Sequence, residues 1–242
     1  VVFSSIEIMK FPHNFVAIAK ILDAAGENWT ISKQAREVVN FGFYAAEGKL
    51  TKQFMDRVVE GAKALGVKRL IVTECGHAYD ALRFHAANIY GEQLPFEVTH
   101  ITAVIGELLQ AGRIKLKKGA FDNGKTITFH DACKIQRRGG MMKEPRMVMK
   151  QIAPESFKEM VPNNEDAWCC GGGGGVISID AATPVRMAAF GIKVDQMRDV
   201  KADTVVMSCS NCRLQFLDGV KHFNLDVEVT GLAQMVADAL EG

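Results

Sequence analysis

The sequence predicts an α/β protein made of two pseudo-twofold-related repeats, each a small, mostly parallel sheet flanked by helices. Three observations carry this. Short apolar runs rich in β-branched residues alternate with helix-period stretches along the 242 residues, as in successive βαβ units. The strand candidates hold few charges, as strands covered on both faces do. Segments of the first half recur in the second.

In order, Val1–Ser5 reads as a strand, Asn14–Ala25 as a helix and Trp29–Ser32 as a strand. A helix over Thr51–Leu65 precedes a strand at Lys68–Thr73. A helix over Ala78–Tyr90 precedes a strand at Phe96–Ile101, and a helix over Thr102–Ala111 follows. The second half reads strand Thr126–His130, helix Glu144–Ile152, strand Phe157–Val161 and helix Pro184–Val200. It continues with strand Thr204–Ser208, helix Cys212–Phe223, strand Val227–Val229 and helix Leu232–Leu240.

The repeat shows in two anchors. "VKRLIVTEC", ending at Cys75, matches "KADTVVMSC", ending at Cys209. Glu97-Val98-Thr99 and Glu228-Val229-Thr230 each precede an amphipathic helix, ending in "LLQAG" and "DALEG". Both pairs are about 130 residues apart, which divides the chain into units 1–118 and 119–242. The basic Lys115–Lys118 stretch and the turn signal Asp122-Asn123-Gly124 lie near that boundary.

Composition narrows the function. With 48% hydrophobic and 24% charged residues and a net charge of +1, the chain is neither disordered nor collagen-like. Its charge balance gives no bulk case for nucleic acid or an anionic membrane. No apolar run is long enough to span a bilayer, and no basic-then-apolar leader is visible. The expectation is a cytoplasmic chain, peripheral on the cytoplasmic face of a membrane through its partners. The first residue is Val1, which reads as a processed product, a fragment or the ordered part of something longer.

The cysteines are lopsided. Cys75 stands alone in the first half; Cys133, Cys169, Cys170, Cys209 and Cys212 crowd the second, spaced C-x35-C-C-x38-C-x2-C. In a reducing compartment such clusters bind metal or do redox chemistry more often than they form structural disulfides. Each falls at a strand end or in the loop after it, and parallel strands present those ends on one edge, so the five can converge. Five thiolates exceed the four ligands of a tetrahedral zinc and suit an iron–sulfur centre. Gly171–Gly175 follow the adjacent pair and leave room for a bulky inorganic group. The alternatives are a disulfide with spare thiols, a zinc site on four of the five, and a phosphate-cradling loop that lacks the Lys-Ser/Thr of a P-loop.

"HDACKIQRRGG", "WCCGGGGG" and "SCSNCRLQF" together resemble the cysteine-rich CCG domain of heterodisulfide reductase-type catalytic subunits, a family that carries two such units in tandem. Within it, "ECGHAYDALRF", "RRGG" and "CSNCRL" are most similar to the K subunits of Dsr sulfite-reduction-associated membrane complexes. The resemblance implies one non-cubane 4Fe–4S cluster held by Cys133, Cys169, Cys170, Cys209 and Cys212, with Gly171 and Gly172 beside it. It implies an iron–sulfur oxidoreductase subunit that splits or forms a disulfide or trisulfide on a small sulfur-carrier protein with C-terminal cysteines. Electrons would be exchanged with a membrane quinol pool through partner subunits.

The first unit departs from that pattern. Around Val38–Gly42, where a Cys-Cys-Gly is expected, it reads V-V-N-F-G, and its C-x2-C equivalent is Cys75-Gly76-His77-Ala78. It therefore cannot hold a five-thiolate cluster of its own, and no ferredoxin-type C-x2-C-x2-C-x3-C run exists in the sequence.

Candidates beside the cluster are Cys75, facing it across the pseudo-twofold or simply a buried apolar group, and His77, a proton donor or a structural loop histidine. Arg137 and Arg138 are read as screening an anionic cluster and docking an acidic partner, or as a solvated turn. His130 and Asp131 are read as bonding the cluster loop, and Glu74 as a helix-start carboxylate. Met141, Met142, Met147 and Met149 read as core, and His13, His85, His100 and His222 as structural. Two other functions fit the composition. One is an electron-transfer subunit of a quinone-linked glycolate, lactate or glycerol-3-phosphate dehydrogenase; the other is a zinc-stapled interaction module.

Overall fold

A computed structural model describes residues 1–33 and 39–241. The first half runs α1 (Ser5–Lys10), α2 (His13–Ala24), α3 (Val39–Tyr44), α4 (Gly48–Ala64), β1 (Arg69–Val72) and α5 (Gly76–Asp80). A π-helical turn (Ala81–His85), α6 (Ala86–Tyr90), β2 (Glu97–His100) and α7 (Ile101–Gln110) follow. The second half runs β3 (Ile127–His130), a second π-helical turn (Cys133–Arg137), α8 (Lys143–Ile152), α9 (Thr183–Val200) and β4 (Thr204–Met207). It ends with α10 (Ser210–His222), β5 (Glu228–Gly231) and α11 (Leu232–Asp238).

The fold is α/β with parallel sheets flanked by helices. β4, Thr-Val-Val-Met, is buried at every position and pairs in parallel with β3 on one side and β5 on the other. A strand covered on both faces and both edges needs such an unbroken apolar run. In the first half β1 pairs in parallel with β2, and on its free edge Val2 forms a single parallel bridge to Val72. The order Val2-β1-β2 thus repeats β3-β4-β5, and each half continues strand, helix, strand, helix.

Three strand expectations fail, each for a local reason. Val1–Ser5 shrinks to the Val2 bridge because Ser4 starts α1: its hydroxyl accepts the Glu7 N–H while the Glu7 carboxylate accepts the Ser4 N–H. Phe157–Val161 makes one bridge, Phe157 to Ile127, before Pro162 removes a donor. Trp29–Ser32 is not a strand; Trp29 Nε1 donates to Asp23 and the Val1 ammonium donates to the Thr30 carbonyl.

Neither half owns a core. One cluster of buried side chains joins Val58, Val72 and Leu82 to Phe190, Val205 and Phe216. The other joins Ile18, Leu22 and Ile105 to Phe129, Val148 and Val236. The repeats behave as two interlocked copies sharing two cores, so the apolar burial that stabilises one depends on the other. No helix among the described residues is long and apolar enough to cross a membrane.

Candidate metal centre

β3 and β4 are neighbours, so their carboxyl ends open on one edge of the sheet. Cys133 starts the turn after β3, Cys209 follows β4, and Cys212 lies in the first turn of α10. Cys169-Cys170 arrive from the long connection between α8 and α9. The five sulfurs form an unbroken chain of contacts. Cys133 bonds Cys169, Cys169 bonds Cys170, Cys170 Sγ is 3.4 Å from Cys212 Sγ, and Cys212 bonds Cys209. None of the six cysteines is in a disulfide. All five line one small cavity of about 10 Å³, partly open to solvent, with Gly76, His77, Ala132, Lys134, Gly173 and Asn211 completing its wall. Cys170, Cys209 and Cys212 are buried, whereas Cys169 is exposed at the mouth.

The electrostatics favour the anion at Cys169 and Cys209 and the thiol at Cys133, Cys170 and Cys212. Cys169 is held far below the usual thiol range because Cys133 and Cys170 donate to it, and the Gly171 N–H adds a contact at 3.4 Å. Cys209 falls to about 7 because Cys212 donates to it and the N–H groups of Cys212, Gly76 and Asn211 point at its sulfur. Cys133, Cys170 and Cys212 are correspondingly raised, since each lends its proton to a neighbour. Such a string titrates as a unit, and a bound cation is what lets all five ionise.

His130 supplies a second observation. Its ring is fully buried, neither nitrogen has a hydrogen-bond partner, and a ring nitrogen and the sulfurs of Cys170 and Cys212 lie within 4.8 Å of one another. Burial, then the Lys193 charge, keep it neutral. A buried imidazole left orphaned is costly, so this nitrogen is expected to face something the cavity holds. Five sulfurs lining one cavity, two of them within 4.8 Å of an imidazole nitrogen, suit a multinuclear iron–sulfur group, which is bound by thiolates, better than one tetrahedral ion.

The glycines have a geometric reason. Gly171 has φ +85°, and a Cβ there would meet the Arg186 carbonyl at 3.0 Å; at Gly172 it would meet Gln215 Cβ at 2.7 Å. The Gly172 carbonyl accepts from Asn211 Nδ2 at 3.0 Å, tying the loop to α10. Asp131 anchors the other loop, gripped by both Arg146 Nη atoms (Nη2 at 2.7 Å) while Arg146 also pairs with Glu159.

The first-half candidates divide. His77 lines the cavity and also a neighbouring pocket with Tyr44, Asp80, His85 and Lys134; burial, then Lys134, lower its pKa. Cys75 is buried within the same apolar cluster as Cys170, Cys209 and Cys212, but the cavity wall on that side is Gly76 and His77. Arg138 is turned to Asp80 and the Phe84 ring, 4.9 Å away, while Arg137 is exposed. Asp80 also binds Lys134 at 2.8 Å, so the first repeat clamps the cysteine turn. Val38 of the V-V-N-F-G segment lies outside the described residues. Gly76, Asp80, Arg146 and Lys193 support the site without having been sequence candidates. Only Gly76, beside a cysteine at a strand end, has a signal visible in the sequence.

The match to a CCG cysteine-rich domain model covers residues 127–217. The chain is 32% identical over 79% of its length to a dihydromethanophenazine:CoB–CoM heterodisulfide reductase polypeptide from Methanosarcina acetivorans, of which it covers 45%. It is 25% identical over 95% of its length to an Hdr-like menaquinol oxidoreductase iron–sulfur subunit from Archaeoglobus fulgidus, of which it covers 48%. The chain thus spans under half the length of these relatives. A glutamate racemase from Bacillus anthracis aligns over 98% of the chain and 77% of its own, at 15% identity and a TM-score of 0.41. With its five cysteines gathered at one sheet edge, the stretch 127–217 is a CCG-type cysteine-rich domain.

Proposed function

We propose that the chain is the cluster-bearing part of a heterodisulfide reductase-like oxidoreductase subunit. It would hold one non-cubane 4Fe–4S cluster on Cys133, Cys169, Cys170, Cys209 and Cys212. The observation that carries this is the continuous chain of five sulfur contacts opening to solvent at Cys169. When bound, the group supplies one-electron steps and an iron site for substrate sulfur.

On a disulfide of a small sulfur-carrier protein the reaction is RS–SR′ + 2e⁻ + 2H⁺ → RSH + R′SH, and on a trisulfide it is RS–S–SR′ + 2e⁻ + 2H⁺ → RSH + R′S–SH. The electrons come from a membrane quinol through partner subunits, and the reverse direction balances equally. The residues of this chain act around that step. Gly76, Asn211 and Cys212 N–H groups stabilise the Cys209 thiolate, His77 stands where protons reach a departing thiolate, and Gly171-Gly172 let the backbone approach.

The test is iron and acid-labile sulfide content, then electron paramagnetic resonance of the oxidised protein with and without the carrier's thiol. Iron with sulfide and a spectrum that changes on adding thiol are expected. A zinc-only preparation overturns the cluster. An unchanged spectrum overturns sulfur binding at iron and favours plain electron transfer to a quinone.

A further inference from the structure

Lys193, on α9, is the most deeply buried cation among the described residues, at 1% exposure. Its Nζ donates to the neutral Gln196 Oε1 at 2.8 Å. It forms no ion pair with a carboxylate there, and Asp131, the acid that acts on it, is already gripped by Arg146. The remaining attractions come from Cys170, Cys212 and Cys169. An unpaired ammonium taken out of water is costly and persists only where an anion compensates it. Burial lowers Lys193 to about 8 even against those attractions. Lys193 also acts on the orphaned His130 ring, and its helix lies directly against the cysteine loop, where a Cβ at Gly171 would meet Ala189 Cβ and the Arg186 carbonyl at 3.0 Å.

We propose that Lys193 is the counter-charge of the metal centre, a positioning residue whose buried ammonium balances the thiolate-bound cluster and raises its reduction potential. This rests on the cluster in the reading above but not on the identity of its substrate. A nearby positive charge stabilises the more negative, reduced state more than the oxidised one. Net charge and burial are among the factors that set cluster potentials.

The experiment is a potentiometric titration of the full chain, followed by paramagnetic resonance without thiol, for wild type, Lys193→Met, Lys193→Gln and Gln196→Leu. Both lysine variants are expected to shift the midpoint negative. The oxidised-to-reduced ratio at fixed potential should rise about tenfold, which is about 59 mV for a one-electron couple. Gln196→Leu keeps the charge and should move the ratio less than about twofold, whereas a packing role would move it as far as the lysine changes. Unmoved potentials in both lysine variants, or an equal shift in Gln196→Leu, overturn the proposal.

Should the variants load no cluster, urea unfolding of the cluster-free proteins near pH 7 decides. Relief of an uncompensated charge makes Lys193→Met more stable than wild type, and a loss of stability overturns the proposal. Wild type without iron fails the function reading; iron-loaded wild type with unmoved variants fails the Lys193 assignment alone.

Discussion

Cys75 and Cys209 occupy the same place in the two repeats. Each precedes a helix as its N-cap, with nearly the same backbone: φ −133°, ψ 101° at Cys75 and φ −137°, ψ 115° at Cys209. The two helix starts also interlock, since the Gly76 N–H points at the Cys209 sulfur and the Ser210 N–H donates to the Glu74 carbonyl at 2.6 Å. Their chemistry differs completely. Cys209-Ser210-Asn211-Cys212 places two sulfurs in the thiol chain; Cys75-Gly76-His77-Ala78 contributes an N–H group and a histidine ring to the wall of the same cavity. Both corners take the same backbone because an apolar strand in parallel pairing positions each of them, whatever side chains follow. The first-half corner, with one sulfur in place of two, still lines the thiol cavity, supplying the Gly76 N–H and the Asp80 clamp on Lys134.

The sharpest way to break this comparison is to remove one sulfur from each corner. Cys209→Ala should abolish iron binding, because it takes away a ligand and leaves three N–H groups aimed at nothing. Cys170→Ala should do the same. Cys75→Ala should retain iron in full and impair turnover only if that sulfur takes part in the chemistry. Iron and sulfide analysis of the three purified variants checks this, and iron loss in Cys75→Ala would move Cys75 into the ligand set.

Most of this asymmetry is legible in the sequence, and the reason is chemical. Cysteine is rare, its spacing is discrete, and a vicinal pair followed by five glycines has few bland explanations. The repeated strand–helix corners are legible because β1 and β4 are apolar runs that no exposed segment would carry. Edge elements are harder: at Val1–Ser5, Trp29–Ser32 and Phe157–Val161 one cap, one side-chain bond or one proline decides between strand and loop. α1 and α3 are short and leave no periodic signal. The clamp of Asp80 on Lys134, the grip of Arg146 on Asp131 and the burial of Lys193 join residues far apart in sequence, and only tertiary structure brings them together.

One residue upstream of the two cysteines the corners diverge again: Glu74 precedes Cys75, and Ser208 precedes Cys209. Glu74 is fully buried, accepting from Ala233 N–H at 2.9 Å and Asn14 Nδ2 at 3.1 Å, with Glu7, Arg213 and Cys209 as its charged surroundings. Burial raises its pKa from 4.5 to about 7, with the like charge of Glu7 adding. The folded state therefore holds this proton more tightly than the unfolded one. Its contribution is full below pH 4.5 and falls away as pH rises to about 7, by about 3 kcal/mol over that window. Glu74→Gln should flatten the fall, leaving the part due to Glu7, which burial also raises. Urea melts of both proteins across pH 4.5 to 7.5 measure it, and parallel curves would refute the assignment.

Gly76 is the next point of difference, facing the cysteine turn where its counterpart is Ser210. A Cβ at Gly76 would lie 2.9 Å from Lys134 Cβ and 3.3 Å from Ile135 Cγ1. Gly76→Ala should cost about 1–3 kcal/mol, the usual range for overpacking, and should draw its N–H away from Cys209. The unfolding midpoint would record the first effect and the resonance line shape the second.

The smallest expected effect comes from trying to restore symmetry. Ala78 stands where the second repeat has Cys212, and it is fully buried in the core around Val72 and Leu82. Ala78→Cys rebuilds the C-x2-C spacing at the first corner. If a corner alone made a centre, the variant would gain iron. The second repeat argues otherwise: its sulfurs come from three separate segments, the turn after β3, the Cys169-Cys170 loop and the start of α10, and the first half has no cysteine besides Cys75 to play the other parts. Iron per chain should therefore equal that of wild type, with at most a modest loss of stability from the added sulfur. A doubled iron content would mean that the surrounding backbone, rather than the number of converging thiols, decides where a cluster assembles.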